Sequence, residues 1–116
     1  MEPILRDSAI LRQGKFGLPK KVFVELHRDH LEIYELRRAR IISRAGLSHL
    51  EKVSLRLHKL TFINQGEIYV LLFAKHKFGV TWAGPLFYYM NAQIARKWKT
   101  TISDLRSTEA AQNTRA

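Results

Sequence analysis

The sequence predicts a mainly β fold: a seven-stranded antiparallel half-barrel or sandwich capped by one C-terminal α-helix. Before residue 90 the apolar segments are strand-sized, rich in Val, Ile, Phe and Tyr, and separated by short polar turns. Residues 91–105 differ, because their apolar side chains recur at spacings of four, four and three and so share one face of a helix. That face consists of Ile94, Trp98, Ile102 and Leu105. Such a helix must dock on the β structure, and Asn91 is predicted as its N-cap.

Length and composition limit the classes of protein. The 116 residues suffice for one domain, predicted at residues 1–105, while residues 106–116 have no apolar side chain larger than alanine and are expected to be disordered. The absence of cysteine excludes disulfides, thiolate zinc sites and thiol catalysis, and it fits a cytoplasmic location. No segment approaches the roughly 18 consecutive apolar residues of a transmembrane helix, so a soluble domain is expected. The net charge of +10 favours polyanionic partners, an acidic lipid surface or nucleic acid.

The first part of the chain predicts a strand followed by a hairpin. A short apolar stretch at residues 9–13 precedes a connection at 14–19 that contains two glycines and a proline. Residues 21–26 alternate apolar and other side chains, and residues 31–36 form a second strand after the turn at 27–30.

The second part is less regular. Residues 37–52 fit a strand plus a loop, or a short helix, because arginines surround two isoleucines and a glycine interrupts the stretch. Residues 53–63 alternate cleanly and then change parity after a predicted bulge or bend. Further strands are predicted at 67–75, 77–83 and 86–90.

Two architectures fit this order of elements. One is a meander curled into a half-barrel with the helix plugging one end, and the other is a flat sheet with the helix across one face. Connections are short, so the sheet is expected to be antiparallel and largely sequential in either case. Trp98 favours the half-barrel, because the mouth of a barrel is wide enough to need a bulky plug.

Two stretches carry a resemblance to a known family. ILRQGKFGLPKKVFVELHRDHLEIYE, residues 10–35, is similar to the first three strands of a pleckstrin homology domain, with a basic loop between the first two. LFYYMNAQIARKWKTTI, residues 86–102, is similar to the last strand, the start of the helix and the helix tryptophan of that family. Residues 37–83 match only in the number of strands. The resemblance implies a phosphoinositide-binding module, cytoplasmic and peripheral at the membrane.

The family's lipid binders share a basic residue that closes the first strand and a Lys/Arg-x-Arg before the aromatic residues of the second. Arg12 matches the first position and Lys21 the last, while Pro19 stands where the pattern has its other basic residue. In a half-barrel the basic residues at the strand ends would surround one rim, where several charge-assisted hydrogen bonds could hold a multiply charged headgroup. The alternative is a generally basic, solvated surface. The candidate headgroup ligands are Arg12, Lys15, Lys20, Lys21, Tyr34, Arg37, Arg38 and Arg40.

No catalytic motif accompanies these residues. His27 and His30 lie in a short turn that lacks the supporting elements of a metal site or a kinase catalytic loop, so neither is assigned a metal. No paired carboxylates, phosphate loop or nucleophile motif occurs, and no cofactor is expected. We therefore predict a non-enzyme that binds acidic membrane lipid through the loop between the first two strands. Two alternatives remain open: a protein-interaction domain of the same fold, and a nucleic-acid-binding domain.

Overall fold

Seven strands and one long helix make up the fold. The computed structural model describes residues 2–14, 17–35, 40–73 and 84–115, and within the helix the side chains of residues 90–108. The elements are β1 (Leu5–Gln13), β2 (Lys20–Leu26), β3 (His30–Glu35), β4 (Ile41–Gly46), β5 (Glu51–Arg56), β6 (Lys59–Asn64), β7 (Glu67–Phe73) and α1 (Gly84–Arg115).

All seven strands belong to one antiparallel sheet in the order β4-β3-β2-β1-β7-β6-β5. The first four strands form the pairs β1–β2, β2–β3 and β3–β4, and the last three form the pairs β5–β6 and β6–β7. The pairing of β1 with β7, which sets Leu11 opposite Leu71, joins the two halves. The predicted antiparallel, largely sequential sheet is confirmed.

The connection between the two edge strands forces the sheet to curl. Seven strands laid flat would hold their edges about 29 Å apart, from six spacings of about 4.8 Å. The step from Gly46 at the end of β4 to Glu51 at the start of β5 spans at most about 18 Å, even fully extended. A short 3-10 turn, Leu47–His49, makes this step. The half-barrel is therefore confirmed, and the flat sheet is not possible.

A contact across the interior also reflects this curvature. The Ser43 hydroxyl of β4 donates to the Tyr69 hydroxyl of β7 at 3.5 Å, although three strands separate β4 from β7 in the sheet order. Inside, alternate residues of each strand form one core, as β2 illustrates with its buried Val22, Val24 and Leu26. The opposite face of each strand is the outer, convex face of the half-barrel.

Trp98 closes one end of the half-barrel. Its side chain is fully buried, and its ring lies 5.4 Å from that of Phe73 at the end of β7. The indole Nε1 donates a hydrogen bond of 2.7 Å to the Asp7 carboxylate of β1, which satisfies the one polar atom of the ring. Ala95 and Ile102 are buried beside Trp98, and Ile94 and Leu105 pack against the same core. The predicted docking face of the helix is confirmed.

The start of the helix differs from the prediction. Residues 86–90 are predicted as a strand, but α1 already begins at Gly84, so Asn91 is a buried interior residue instead of the N-cap. Aromatic residues in this stretch favour a strand by propensity. Pro85 explains the outcome, because proline suits the first turn of a helix, where its missing N–H is not needed.

Other boundaries also shift. The backbone of α1 continues to Arg115, where the sequence predicts a disordered tail, and the Ala, Gln and Glu of this segment are good helix formers. The predicted bend within residues 53–63 is a tight turn at Leu57 and His58, which separates β5 from β6. Residues 37–52 contain β4 and the 3-10 turn. The strand predicted at residues 77–83 lies outside the described residues. The molecule measures 54 × 29 × 26 Å.

Trp98→Ala should lower the free energy of unfolding by about 3–5 kcal/mol, because truncating a buried aromatic side chain removes its transfer energy and leaves a cavity. Denaturation by urea, followed by circular dichroism, measures the change. Trp98→Phe is the matched control: it keeps a ring beside Phe73 but loses the bond to Asp7, and it should be destabilised less than the alanine variant. A loss below about 1 kcal/mol for Trp98→Ala would contradict the role of the indole as a plug.

Candidate functional site

One end of the half-barrel, which we call the mouth, is where β1 connects to β2, β3 to β4 and β6 to β7. β1 ends there with Gln13 opposite Tyr69, and the Gly14 amide donates to the Ile68 carbonyl at 2.7 Å. β2 starts at this end with Lys20 beside Leu11. The Glu35 amide at the end of β3 donates to the Arg40 carbonyl at 2.8 Å. Trp98 closes the opposite end, since it contacts the start of β1 and the end of β7.

Four of the predicted ligand residues lie at the mouth and are exposed: Arg12, Lys20, Lys21 and Arg40. Three others, Lys15, Arg37 and Arg38, lie outside the described residues. Tyr34 is described but turns to the outer face of β3, where its hydroxyl donates to the Glu32 carboxylate. Of the eight candidates, four are thus exposed cations at strand ends on the side of the mouth, and Tyr34 has a partner of its own.

The cations of the mouth differ from those of the outer face in their partners. On the outer face Arg6 contacts Glu25 at 3.4 Å, and Arg44 contacts Glu32 at 2.9 Å. Within residues 2–14, 17–35, 40–73 and the described side chains of α1, no ion pair involves the four mouth cations.

The inner wall of the mouth is polar. The Gln13 amide donates to Glu67 at 3.1 Å and to the Tyr69 hydroxyl at 3.4 Å, and Tyr69 also accepts from Ser43. Glu67 is exposed and brings a negative charge to this rim. Its carboxylate opposes the field of the cations, so the mouth is not uniformly basic.

A groove of about 470 Å³ runs along the outer face beside the mouth. Arg12 and Lys59 supply its cationic side chains, and its apolar walls come from strands β1 and β7. Lys59 is not among the ligand residues that the sequence predicts. Its outward orientation follows from the buried Leu60 and Phe62, but its place in the same groove as Arg12 depends on the sheet order, which the sequence does not display. The apolar residues of the groove are Ile10, Pro19, Ile68, Val70 and Leu72.

Leu18 is the most exposed large apolar side chain among the described residues, at 79%. It lies in the connection between β1 and β2, just before Lys20 and Lys21.

A second cluster lies at the far end of the β2–β3 hairpin, on the outer face. Glu25 and Glu32 stand directly opposite each other in the register of the two strands. His27 Nε2 lies 3.3 Å from Glu25 Oε1 and 3.9 Å from Glu32 Oε2, while His30 Nε2 lies 2.9 Å from Glu32 Oε1. The other ring nitrogen of His30, Nδ1, lies 2.6 Å from Asp29 Oδ1. We call Glu25, His27, Asp29, His30 and Glu32 the hairpin cluster.

Charge and burial act on this cluster together. Burial lowers the pKa of His30, but the bonds to Asp29 and Glu32 outweigh it, so the pKa is raised. The bond to His30 lowers the pKa of Asp29. The sequence shows acidic residues clustered on this hairpin, at Glu25, Asp29, Glu32 and Glu35, but it does not predict their contacts with His27 and His30. The period of two in a strand does place residues 30 and 32 on the same face.

Comparison with known proteins identifies the fold. No family model matches the sequence, and no curated protein matches it. Solved structures do match. One concerns the structural role of the PH and C1 domains of Vav1; its TM-score is 0.51 and its identity 14%, over 80% of this chain and 25% of that chain. Another is an activated truncation of Vav1, with a TM-score of 0.53 and an identity of 14%, over 80% of this chain and 26% of that chain. An Slm1-PH domain in complex with inositol 4-phosphate is similar at 0.48 and 15% identity, over 82% of this chain and 97% of that one.

The likenesses to the two Vav1 structures, together with the curled seven-stranded sheet and its closing helix, show that the chain has the pleckstrin homology fold. The chain spans about a quarter of the length of the two Vav1 chains. Identities near 15% concern the fold alone and carry no argument about a ligand. Within the described residues, no helix combines the length and apolar character that crossing a bilayer requires.

Proposed function

We propose that this domain is a non-catalytic membrane-targeting module, which binds acidic lipid headgroups, above all a phosphoinositide, at its mouth. The observation that carries the proposal is the group of four exposed cations without an acidic partner among the described residues, in contrast to the paired Arg6 and Arg44. Lys15, Arg37 and Arg38 belong to the same proposed site by their positions in the sequence. An anionic surface would supply the counter-charge that the described residues do not.

The exposed Leu18 favours a lipid surface over nucleic acid. A duplex offers phosphates but no apolar phase for a leucine at the tip of a loop, whereas a bilayer offers both within a few ångströms. Each Lys or Arg near an anionic leaflet contributes about 1 kcal/mol, so the four described cations supply about 4. Partial insertion of Leu18 adds about 1–2 kcal/mol. Together these values support reversible recruitment.

Sedimentation with vesicles tests this function directly. Vesicles of neutral phosphatidylcholine, of phosphatidylcholine with phosphatidylserine, and of phosphatidylcholine with phosphoinositide separate three cases. Binding only to phosphoinositide vesicles supports a headgroup site, and equal binding to both acidic vesicles supports a surface that responds to charge alone. Absence of binding to all three, with a duplex shifted instead, would support the nucleic-acid reading.

Lys20→Glu/Lys21→Glu should reduce binding to acidic vesicles roughly 100-fold or more at physiological salt, since two attractive charges become repulsive within about one Debye length of the surface. Arg96→Glu/Lys97→Glu is the matched control, because it changes the net charge equally at two exposed positions on α1. Equal losses from both variants would mean diffuse electrostatics. No loss from either, with folding intact by circular dichroism, would favour the protein-interaction alternative.

Leu18→Ala should weaken vesicle binding roughly five- to thirtyfold, because the loss of its apolar insertion costs about 1–2 kcal/mol. The melting temperature should not change, since the side chain is exposed. Leu57→Ala offers a control with an exposed leucine on the β5–β6 turn, at the end opposite the mouth. If both variants bind as the wild type does, the loop does not enter the bilayer.

Glu67→Gln should strengthen binding to acidic vesicles by about fivefold, because it removes one repulsive charge from the rim at about 1 kcal/mol. Glutamine keeps the side-chain length and can still accept from Gln13. Asp104→Asn on the exposed face of α1 removes the same charge far from the mouth and should change little. Weaker binding by Glu67→Gln would argue that headgroups do not approach this rim.

A further inference from the structure

The hairpin cluster holds more hydrogen-bond acceptors than its histidines can satisfy when they are neutral. Both ring nitrogens of His30 face carboxylate oxygens, at 2.6 Å and 2.9 Å, yet a neutral imidazole carries only one N–H. If His30 donates from Nδ1 to Asp29, its Nε2 lone pair points at Glu32 Oε1. A cation coordinated by both the nitrogen and the oxygen would remove this conflict.

The rings of His27 and His30 are stacked, with centroids 4.6 Å apart and planes within 7° of parallel. The Nε2 atom of each ring lies next to a carboxylate oxygen, at 3.3 Å from Glu25 Oε1 for His27 and at 2.9 Å from Glu32 Oε1 for His30. A divalent cation here would meet two imidazole nitrogens and two carboxylates within one small volume.

The carboxylates also repel one another. Glu25 and Glu32 occupy directly opposite positions on β2 and β3, an arrangement that is destabilising for like charges. Arg6 and Arg44 flank them on β1 and β4, so the row across the four strands runs positive, negative, negative, positive. Glu32 is only 5% exposed and therefore has little help from water. The centre of the row is where an added cation would act.

From this geometry we propose that His27, His30 and Glu32 form a binding site for a divalent transition-metal ion, with Zn²⁺ as the best-fitting ion. Their ligand atoms lie within 4.8 Å of one another. Ligands at about 2.0–2.2 Å from a tetrahedral zinc stand about 3.3–3.5 Å apart. His30 Nε2 lies 2.9 Å from Glu32 Oε1, and His27 Nε2 lies 3.9 Å from the other carboxylate oxygen, Oε2, so the carboxylate must turn for one of its oxygens to serve with both rings. Two imidazoles and one carboxylate suit zinc, whereas calcium and magnesium prefer oxygen alone.

Two further residues complete the arrangement. Asp29 accepts from His30 Nδ1, which fixes the tautomer that offers Nε2 to a metal; a carboxylate in this place is the usual partner of a metal-binding histidine. Glu25 Oε1, 3.3 Å from His27 Nε2, can take the fourth position, or water can. The two Nε2 lone pairs must converge on the ion, so binding will tilt the rings out of their parallel stack.

The site is independent of the proposed lipid function. β2 runs from the mouth at Lys20 to its far end at Leu26, so the hairpin cluster lies at the opposite end from the mouth. A metal here would tie the β2–β3 turn to the middle of β3. Because an ion that binds only the folded chain stabilises it, Zn²⁺ should also raise the melting temperature.

Titration calorimetry of untagged, chelator-treated protein with Zn²⁺ tests the site. We expect one ion per chain and no response to Mg²⁺. His27→Gln and His30→Gln should each weaken binding by at least about tenfold, and Asp29→Asn by about 10- to 100-fold through the orientation of His30. His49→Gln removes an exposed histidine elsewhere and should leave the affinity unchanged. Circular dichroism confirms that each variant is folded.

Two results would overturn the proposal. One is the absence of heat and of any rise in melting temperature when Zn²⁺ is added in excess. The other is equal affinity in the wild type, His27→Gln and His30→Gln, which would place the ion elsewhere. NMR of the histidine rings gives a separate readout: Zn²⁺ should shift the signals of His27 and His30 as their stack opens, and unmoved signals in a saturated sample would contradict the site.

Discussion

The curvature of this sheet depends on one short connection. The chain leaves β4 at one edge and must begin β5 at the other edge within four residues, so the sheet cannot stay flat. Curling creates an interior with two ends, and Trp98 fills one of them. The other end remains lined by Gln13, Ser43 and Tyr69, whose hydroxyl and amide groups bond to each other across it. Closure at one end thus defines the mouth at the other.

Charge follows the same division into two ends. On the outer face of the β2–β3 hairpin, arginines and carboxylates stand in register and compensate each other across four strands. At the mouth, Lys20 begins β2 and Arg40 immediately precedes β4, and neither takes part in an ion pair within the described residues. The net charge of +10 is therefore not spread evenly: whether a cation is ion-paired depends on where it lies in the fold.

The sequence predicts the parts of this fold that depend on local periodicity. The alternation of Val22, Val24 and Leu26 and the helical spacing around Trp98 each determine which face is buried, and both predictions are confirmed. The start of α1 was predicted wrongly, because aromatic side chains in residues 86–90 favour strand while Pro85 favours a first helical turn.

The features that depend on strand order were beyond the sequence. Lys59 and Arg12 line the same groove only because β6 and β1 are the two neighbours of β7 in the sheet, and no local sequence pattern predicts this order. The same holds for the row of charges that joins Arg6 to Arg44. Glu32 is an intermediate case: its face follows from the strand period, whereas its contact with His27 requires the shape of the turn.

The length of α1 affects how the molecule moves in solution. A helix of 32 residues extends about 48 Å, and among the described side chains its contacts with the core end near Leu105. The particle is consequently about twice as long as it is wide. Its rotational diffusion is anisotropic: spinning about the long axis is faster than end-over-end tumbling, so amide bond vectors that lie along the long axis reorient more slowly in solution than those lying across it.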